Sequence, residues 1–419
     1  MRTRDGIPHG LARAILGLLI TSCFLLYGAG IWEVPSLRQL ERMAYDAHLA
    51  LTASDETDPR ITIVDIDERS LVEQGSWPWP RDTLARLVDI LFDDHRIGVL
   101  GLDLVFAERG RCPELPDATQ RLAASFRHRA VVLGFYFNTG GAEAFSSGAL
   151  PIPLWRREEL PPGGIGYVTA RGYGGNLAAL QESAGRAGHF NPLLDEDGVV
   201  RRVPMLIEYQ GGFYESLALA VARTYLRVER VTPGLATTGT SADYAGLEWL
   251  TLGPTLVPVD AHLASLVPYP SRLGHFRHVS ATDVLNQRPI NLPPDGIVLL
   301  GTSAPGLLDS RITPLRTEFP GVEIHASLID GILNQTIKAQ PAYLRGVEIL
   351  QLALIGGLAS FLLSRHRGLS LASVSGLLLA SLLVNLAAWQ YHGVTLPVVS
   401  SIVLILVLRT LNGFERRSS

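Results

Sequence analysis

Apolar and polar positions divide the chain into a long central region of mixed pattern and two flanking regions of nearly unbroken apolar runs. In the centre, residues 61–66, 97–106 and 130–137 are short apolar runs rich in β-branched residues, and each reads as a buried strand. Between them, 81–92 and 118–128 repeat apolar residues at three- and four-residue steps, as one face of a helix does. Strand, helix, strand, helix, strand at these spacings predicts right-handed crossovers and a largely parallel sheet, so the fold class is α/β. Residues 138–198 are rich in glycine and proline and too long for a plain connection, which predicts an excursion with short strands of its own. Further strands are expected over 199–209 and 263–269, and helices over 214–226 and 280–285.

The last central block is the one the rest is organised around. Ile297-Val298-Leu299-Leu300 reads as a strand joining the same sheet from far along the chain, and it ends in Gly301-Thr302-Ser303-Ala304-Pro305-Gly306. Pro320-Gly321 then precedes a helix over 322–333. A glycine loop followed by a helix at the carboxyl end of a parallel strand is where open α/β sheets bind ligands.

The flanks read as membrane segments. Residues 14–32 suffice for one crossing, and Arg2, Arg4 and Arg13 before them place residues 1–13 in the cytoplasm by the positive-inside rule. The length of the run and Trp32 at its end favour an uncleaved anchor over a cleaved leader. Leu37, Leu40, Ala44, Ala47 and Leu51 then form an amphipathic stripe, expected to pack on the domain or pair with another subunit. Past Pro341, residues 343–363, 369–389 and 394–411 give three more expected crossings. Arg365, His366 and Arg367 lie in the first connector, no Arg or Lys lies between 390 and 393, and Arg409, Arg416 and Arg417 close the chain. Four crossings therefore place residues 33–342 outside the cytoplasm and the tail, 412–419, inside. Small residues at four-residue intervals, Ala353 with Gly357 and Ala372 with Gly376 and Ala380, suit helix packing within the bundle or a homo-oligomer contact. Glu348 and Gln351 fall near the outer end of their helix, and Arg345 is the expected partner for Glu348.

Composition agrees with this layout: 47% of the 419 residues are hydrophobic. The formal charge of −4 gives no general attraction to nucleic acid. Cys23 in an apolar run and Cys112 in a polar loop do not form a disulfide framework.

Candidate chemistry gathers at the expected carboxyl edge of the sheet. Asp65 and Asp67 end one strand, Asp103 lies in another, and Gly301, Thr302, Ser303, Asp309, Glu323 and His325 belong to the organising block. These groups would bind a ligand, or cap helices and brace the glycine loop through hydrogen bonds. Trp77-Pro78-Trp79-Pro80-Arg81 would wall a pocket or fix its loop. No nucleophile and base pair at catalytic spacing, so no enzyme, metal or cofactor is expected. The glycine loop lacks the Gly-Lys-Ser/Thr ending of a phosphate loop, and Asp195-Glu196-Asp197-Gly198 lacks the spaced ligands of a calcium loop and reads as an acidic turn.

Several blocks resemble a known family. IVDIDERSLVEQGSWPWPRDTLARLVDIL, GLDLVF, GHFNPLLDEDGVVRRVPM and GTSAPGLLD…TPL…PGVEIHA, in that order, are similar to the type 2 CHASE domain, over roughly residues 45 to 335. The resemblance implies an extracytoplasmic sensory module of bacterial receptors, in the cytoplasmic (inner) membrane. Receptors of that kind carry a cyclase or kinase domain after three C-terminal membrane helices; here eight residues follow Leu411. The expectation is thus a membrane-anchored sensor of a small ligand or envelope protein, signalling to a separate cytoplasmic or membrane partner. The alternative is a non-signalling scaffold of an envelope complex.

Overall fold

The computed structural model describes residues 9–54, 56, 58–107, 117–140, 145–160, 165–235, 246–271, 274–304, 310–365 and 369–415. It divides into two compact units, one of residues 1–51 with 338–419 and one of residues 52–337.

Two helices, α1 (His9–Gly28) and α2 (Pro35–Thr52), come first in the chain. The larger unit then opens with strand β1 (Ile61–Ile66), every residue of which is buried, as a central parallel strand covered on both faces must be. Helix α3 (Glu68–Gln74) starts at Asp67, whose carboxylate accepts the Ser70 N–H at 2.8 Å and so caps the helix. Helix α4 (Arg81–Asp89) ends in a π-helical turn, Ile90–Asp94, so the expected 81–92 helix changes form in its last turn. Strands β2 (Val99–Leu102) and β3 (Val131–Asn138) flank helix α5 (Ala118–Phe126). Helix α6 (Ala178–Ala184) leads into β4 (Arg186–His189); helix α7 (Leu217–Tyr225) follows, capped by Ser216. The unit closes with β5 (Arg277–Ser280), α8 (Ala281–Leu285), β6 (Ile297–Thr302) and α9 (Gly321–Asn334).

These six strands run parallel in the order β5-β1-β6-β2-β3-β4. The late strand β6 thus inserts between the first two, with Asp65 opposite Gly301 and Leu100 opposite Val298. The excursion over 138–198 does contain short strands, and two of them, Gly172–Gly174 and Ser146–Ser147, extend the sheet at β3. Its strand β4 enters the parallel core, which the glycine-rich pattern did not predict.

Helices cover both faces. Leu84, Leu87 and Leu91, Leu122 and Phe126, and Val284 and Leu285 join Val64, Ile66, Leu100, Leu102, Val298 and Leu300 in one buried cluster, so α4, α5 and α8 share a face. Helices α7 and α9 lie on the other, where the sheet presents glycine. A Cβ at Gly101 would stand 2.8 Å from Val221 of α7, and one at Gly301 2.7 Å from Val322 of α9. Such approaches require glycine. Because the helix after β6 goes to the face opposite that of α4, α5 and α8, the connections part at the carboxyl end of β6, which opens a crevice there.

Two expected elements change. The 199–209 strand is two, Val200–Pro204 and Leu206–Tyr209, in different small sheets; the 214–226 helix gives up its start to a strand, Gly212–Glu215, that pairs with the second. The acidic turn is as expected: Asp195 and Asp197 accept from the Arg201 guanidinium at 2.8 and 2.9 Å.

In the smaller unit, α10 (Leu344–Arg365), α11 (Leu371–His392) and α12 (Val399–Glu415) join α1 and α2. Three helices are long and apolar enough to cross a membrane, Gly10–Gly28, Leu344–Arg365 and Leu371–His392; the apolar part of α12, Val399–Thr410, is shorter. The expected 394–411 run loses its start because Pro397 cannot continue a helix and Glu41 of α2 receives the Val398 and Ser400 N–H groups at 3.0 and 2.8 Å, capping α12. Close helix approach falls at Gly17 of α1 against Ser360 and at Gly356 of α10 against Thr21, not at Gly357 or Gly376, which face open space. Glu348 accepts from Ser400 at 2.9 Å rather than pairing with Arg345. Of the predicted stripe of α2, Leu37 is buried, whereas Leu40 and Leu51 are 45% and 85% exposed; Leu49, outside the stripe, is buried as well.

Candidate functional site

At the end of β1, the Asp65 carboxylate holds the loop that leaves β6. It accepts the Ser303 N–H at 2.9 Å and the Ser303 hydroxyl as well. The register makes this local, since Asp65 and Gly301 are direct partners. Helix α9 enters over Gly301, and its first turn carries Glu323, whose side chain is 2% exposed.

His278 of the edge strand β5 reaches both acids. Its Nε2 lies 3.2 Å from Glu323 Oε1 and its Nδ1 3.5 Å from Asp65 Oδ2. Burial by itself would lower the imidazole pKa, but the hydrogen bonds to Asp65 and Glu323 and their negative charges win and push it up to about 9. At neutral pH the ring is an imidazolium clasped by two carboxylates from β1 and α9.

Asp67 beside it is held below the usual carboxylate range. Burial works against that, and the hydrogen bonds from Ser70 and Ser280, the latter 2.7 Å long, prevail. Asp65, Asp67, Arg69, His278, Ser280 and Asp283 border an open cleft of about 820 Å³. Most of its charge is already matched internally, as Asp283 receives both Arg69 and Arg288.

A second, smaller cavity of about 240 Å³ lies at the carboxyl ends of β2 and β6, bordered by Trp77, Asp103, Phe190, Thr302, Gly321 and Val322 among others. Behind Asp103, His325 Nε2 stands 4.0 Å from the carboxylate. Burial pushes the His325 pKa down to about 4, so this ring is neutral. Glu323 Oε2 and His325 Nδ1, both buried, have no hydrogen-bond partner among the described residues.

The fold thus sorts the predicted site residues into three groups. Asp65, Ser303 and Glu323 meet around His278, and Asp67 borders the same cleft while capping α3. Trp77, Asp103 and Thr302 border the small cavity, with Gly301 and His325 supporting it. Trp79 and Arg81 are braces: the buried indole donates to the Gly75 carbonyl at 2.9 Å and the buried guanidinium to Thr119 at 2.8 Å. Asp309 lies outside the described residues. Among the described residues no group of three or more His, Cys, Asp or Glu is placed to hold a metal ion.

Two histidines escaped the sequence reading. His278 sits in a four-residue edge strand whose Arg-His-Val-Ser pattern carries little alternation, though its place just before a helix was the available signal. His189 ends β4; burial and the nearby His325 push its pKa down to about 3, and neither ring nitrogen has a hydrogen-bond partner among the described residues.

Compared with known protein families, residues 16–362 match the model of the CHASE2 domain, a span that takes in most of α1 and most of α10 as well as the whole α/β unit. No curated protein and no solved structure matches the chain significantly.

Proposed function

This chain belongs to the CHASE2 domain family, which is sensory and not catalytic, and from that premise we propose a membrane-anchored receptor that binds a small ligand at the carboxyl edge of its parallel sheet. The domain stands outside the cytoplasm of a bacterial cell, anchored in the cytoplasmic membrane by α1, α10, α11 and, as a fourth crossing, α12. Arginines at 2, 4 and 13, at 365 and 367 and at 409, 416 and 417, against a connector at 390–393 without Arg or Lys, support that topology. The signal leaves through the helices to a separate output protein.

One observation carries this reading. Helix α9 holds Glu323 in the His278 clasp at its first turn and, after residues 335–343, the chain becomes the membrane helix α10. A ligand that shifts α9 at the sheet edge therefore acts on an element covalently continuous with the membrane bundle. Two states of α9 with different ligand affinity suffice to make this a switch.

The test is purification of the intact chain from its native membrane in mild detergent, with mass spectrometry of what stays bound. A stoichiometric kinase or cyclase is expected. A fixed set of structural envelope proteins with no signalling enzyme would replace the sensor with a scaffold.

A further inference from the structure

We propose, resting on the sensory reading, that the open cleft of about 820 Å³ along strand β5 receives a short extended peptide, which adds to the edge of the sheet and sets a carboxylate side chain beside Arg277.

Strand β5 ends the sheet on its side and pairs with β1 alone. Its bonds to β1 use one row of backbone N–H and C=O groups; the outer row has no hydrogen-bond partner among the described residues. His278 is exposed although its ring is turned in to Asp65 and Glu323, so its main chain is what meets solvent. An unpaired row of this kind is a template for one more strand. All four residues of β5 border the cleft, with Pro289, Ile290 and Asn291, so the row opens into a space of ligand size.

Charge selects the occupant. In the lining, Arg69 is bound to Asp283, His278 lies between Asp65 and Glu323, and Asp67 receives Ser70 and Ser280. The Arg277 guanidinium is exposed and makes no ion pair or hydrogen bond among the described residues. A second copy pairing edge to edge would bring Arg-His-Val-Ser, with no carboxylate for Arg277. A small anion would satisfy the guanidinium and leave the backbone row to water. A peptide serves both, by main-chain hydrogen bonds along β5 and one acidic side chain.

The strand also sets the register. Four residues span about 13 Å, which fits an extended segment of about four residues. Side chains alternate between faces, so Val279 shares the face of Arg277, and half-buried Ile290 packs on the same core cluster as Val279. The peptide therefore carries an acidic and an apolar residue two positions apart, the acid at Arg277 and the apolar residue at Val279 and Ile290. Occupancy acts on the strand that supplies His278 to the clasp on α9, which is how binding reaches the element the sensory reading requires.

The experiment is fluorescence anisotropy of labelled, end-capped heptapeptides with the full chain in lipid nanodiscs. Their cores are Glu-Thr-Val and Val-Thr-Glu, to cover both strand directions; controls carry Lys for Glu, or N-methyl groups on alternate backbone nitrogens, and glutarate is the small-anion competitor. At least one acidic core is expected to bind, with its Lys and N-methyl counterparts weaker by at least about tenfold. Arg277→Gln should weaken the acidic peptide by about tenfold, and Arg277→Glu should reverse the preference toward the Lys peptide. Because Arg277 is exposed and unpartnered, both variants should fold, with Tm as the check. No binding by either acidic core up to about 1 mM, equal binding of the N-methyl peptide, glutarate competing as tightly as the peptide weighs, or an unchanged Glu-to-Lys preference in folded Arg277→Glu would overturn the proposal. A stoichiometric output enzyme found with a chain that binds no peptide would leave the sensor standing without this ligand; peptide binding with no output enzyme would do the reverse.

Discussion

Histidine occupies two regions of the α/β unit in opposite states. On the β5 side, His278 is drawn up to about 9 by Asp65 and Glu323 and carries a charge at neutral pH. On the β4 side, His189 and His325 are driven down to about 3 and about 4 by burial and are neutral. The side chain is the same, and the neighbours decide: two carboxylates in one place, apolar rings such as Phe135 and Phe137 in the other. Helix α9 belongs to both regions, because Glu323 and His325 sit two positions apart and so point to different sides of one helix. Charge at the clasp and neutrality behind Asp103 are therefore two conditions on the placement of a single element.

The largest effect should come from breaking both regions at once. In Gly301→Val the new Cβ would stand 2.7 Å from Val322 and lift α9 from β6, at a cost of about 3 kcal/mol or more. Thermal unfolding should show both the clasp and the histidine behind Asp103 lost in one shifted transition; an unchanged Tm would mean α9 does not rest on the sheet as described. Next, His278→Leu leaves Glu323 and Asp65 without their shared counter-charge, an expected loss of about 2–3 kcal/mol near neutral pH. Equal stability of variant and wild type in a denaturation titration would show that the acids find another partner.

A pH scan sharpens the same contrast. The folded protein raises the His278 pKa from 6.5 to about 9, so its stabilisation is complete below pH 6.5 and is lost as pH rises through 9. With the imidazole 28% exposed, solvent screening reduces that contribution to about 2 kcal/mol. Tm should fall across this window in the wild type and stay flatter in Glu323→Gln, where one of the two acids is neutral and the alkaline midpoint moves down. Superimposable Tm curves would detach His278 from Glu323.

Much of this arrangement was readable from residue pattern, and the reasons for the remainder are local. β1 and β6 announce themselves because strands buried on both faces are continuous apolar runs, and Gly301 followed by Pro320-Gly321 marks a strand, a loop and a helix start. Their acids were identified from the same logic. What pattern could not supply is adjacency between distant segments: that β6 inserts between β1 and β2, and that β5 brings His278 across to Asp65, depends on strand order. β4 was hidden because its Arg-Ala-Gly-His run shows neither apolar continuity nor alternation. In the membrane unit the period of small residues was visible, but which of two adjacent glycines, Gly356 or Gly357, meets Thr21 depends on helix rotation, which spacing alone leaves free.

The smallest effect concerns the neutral region. His189 is fully buried and both its ring nitrogens lack partners among the described residues, so the ring is held by packing against aromatic neighbours. Replacing it by leucine removes the cost of two unsatisfied polar atoms and loses some contact area, two terms of similar size. His189→Leu should therefore change stability near pH 7.5 by less than about 1 kcal/mol. Acid separates the two proteins. A histidine whose folded pKa lies below its ordinary value stabilises the fold fully above pH 6.5, and that contribution drains away as pH falls toward about 3, because the unfolded chain takes up the proton first. At pH 5.5 the wild type should already have lost about 1 kcal/mol through His189 that the leucine variant keeps. The variant's acid limb should accordingly be shallower, though not flat, since His325 titrates with the same sign. Parallel acid limbs would mean that His189 accepts its proton in the folded state, and the division between a charged and a neutral histidine region would fail on the β4 side.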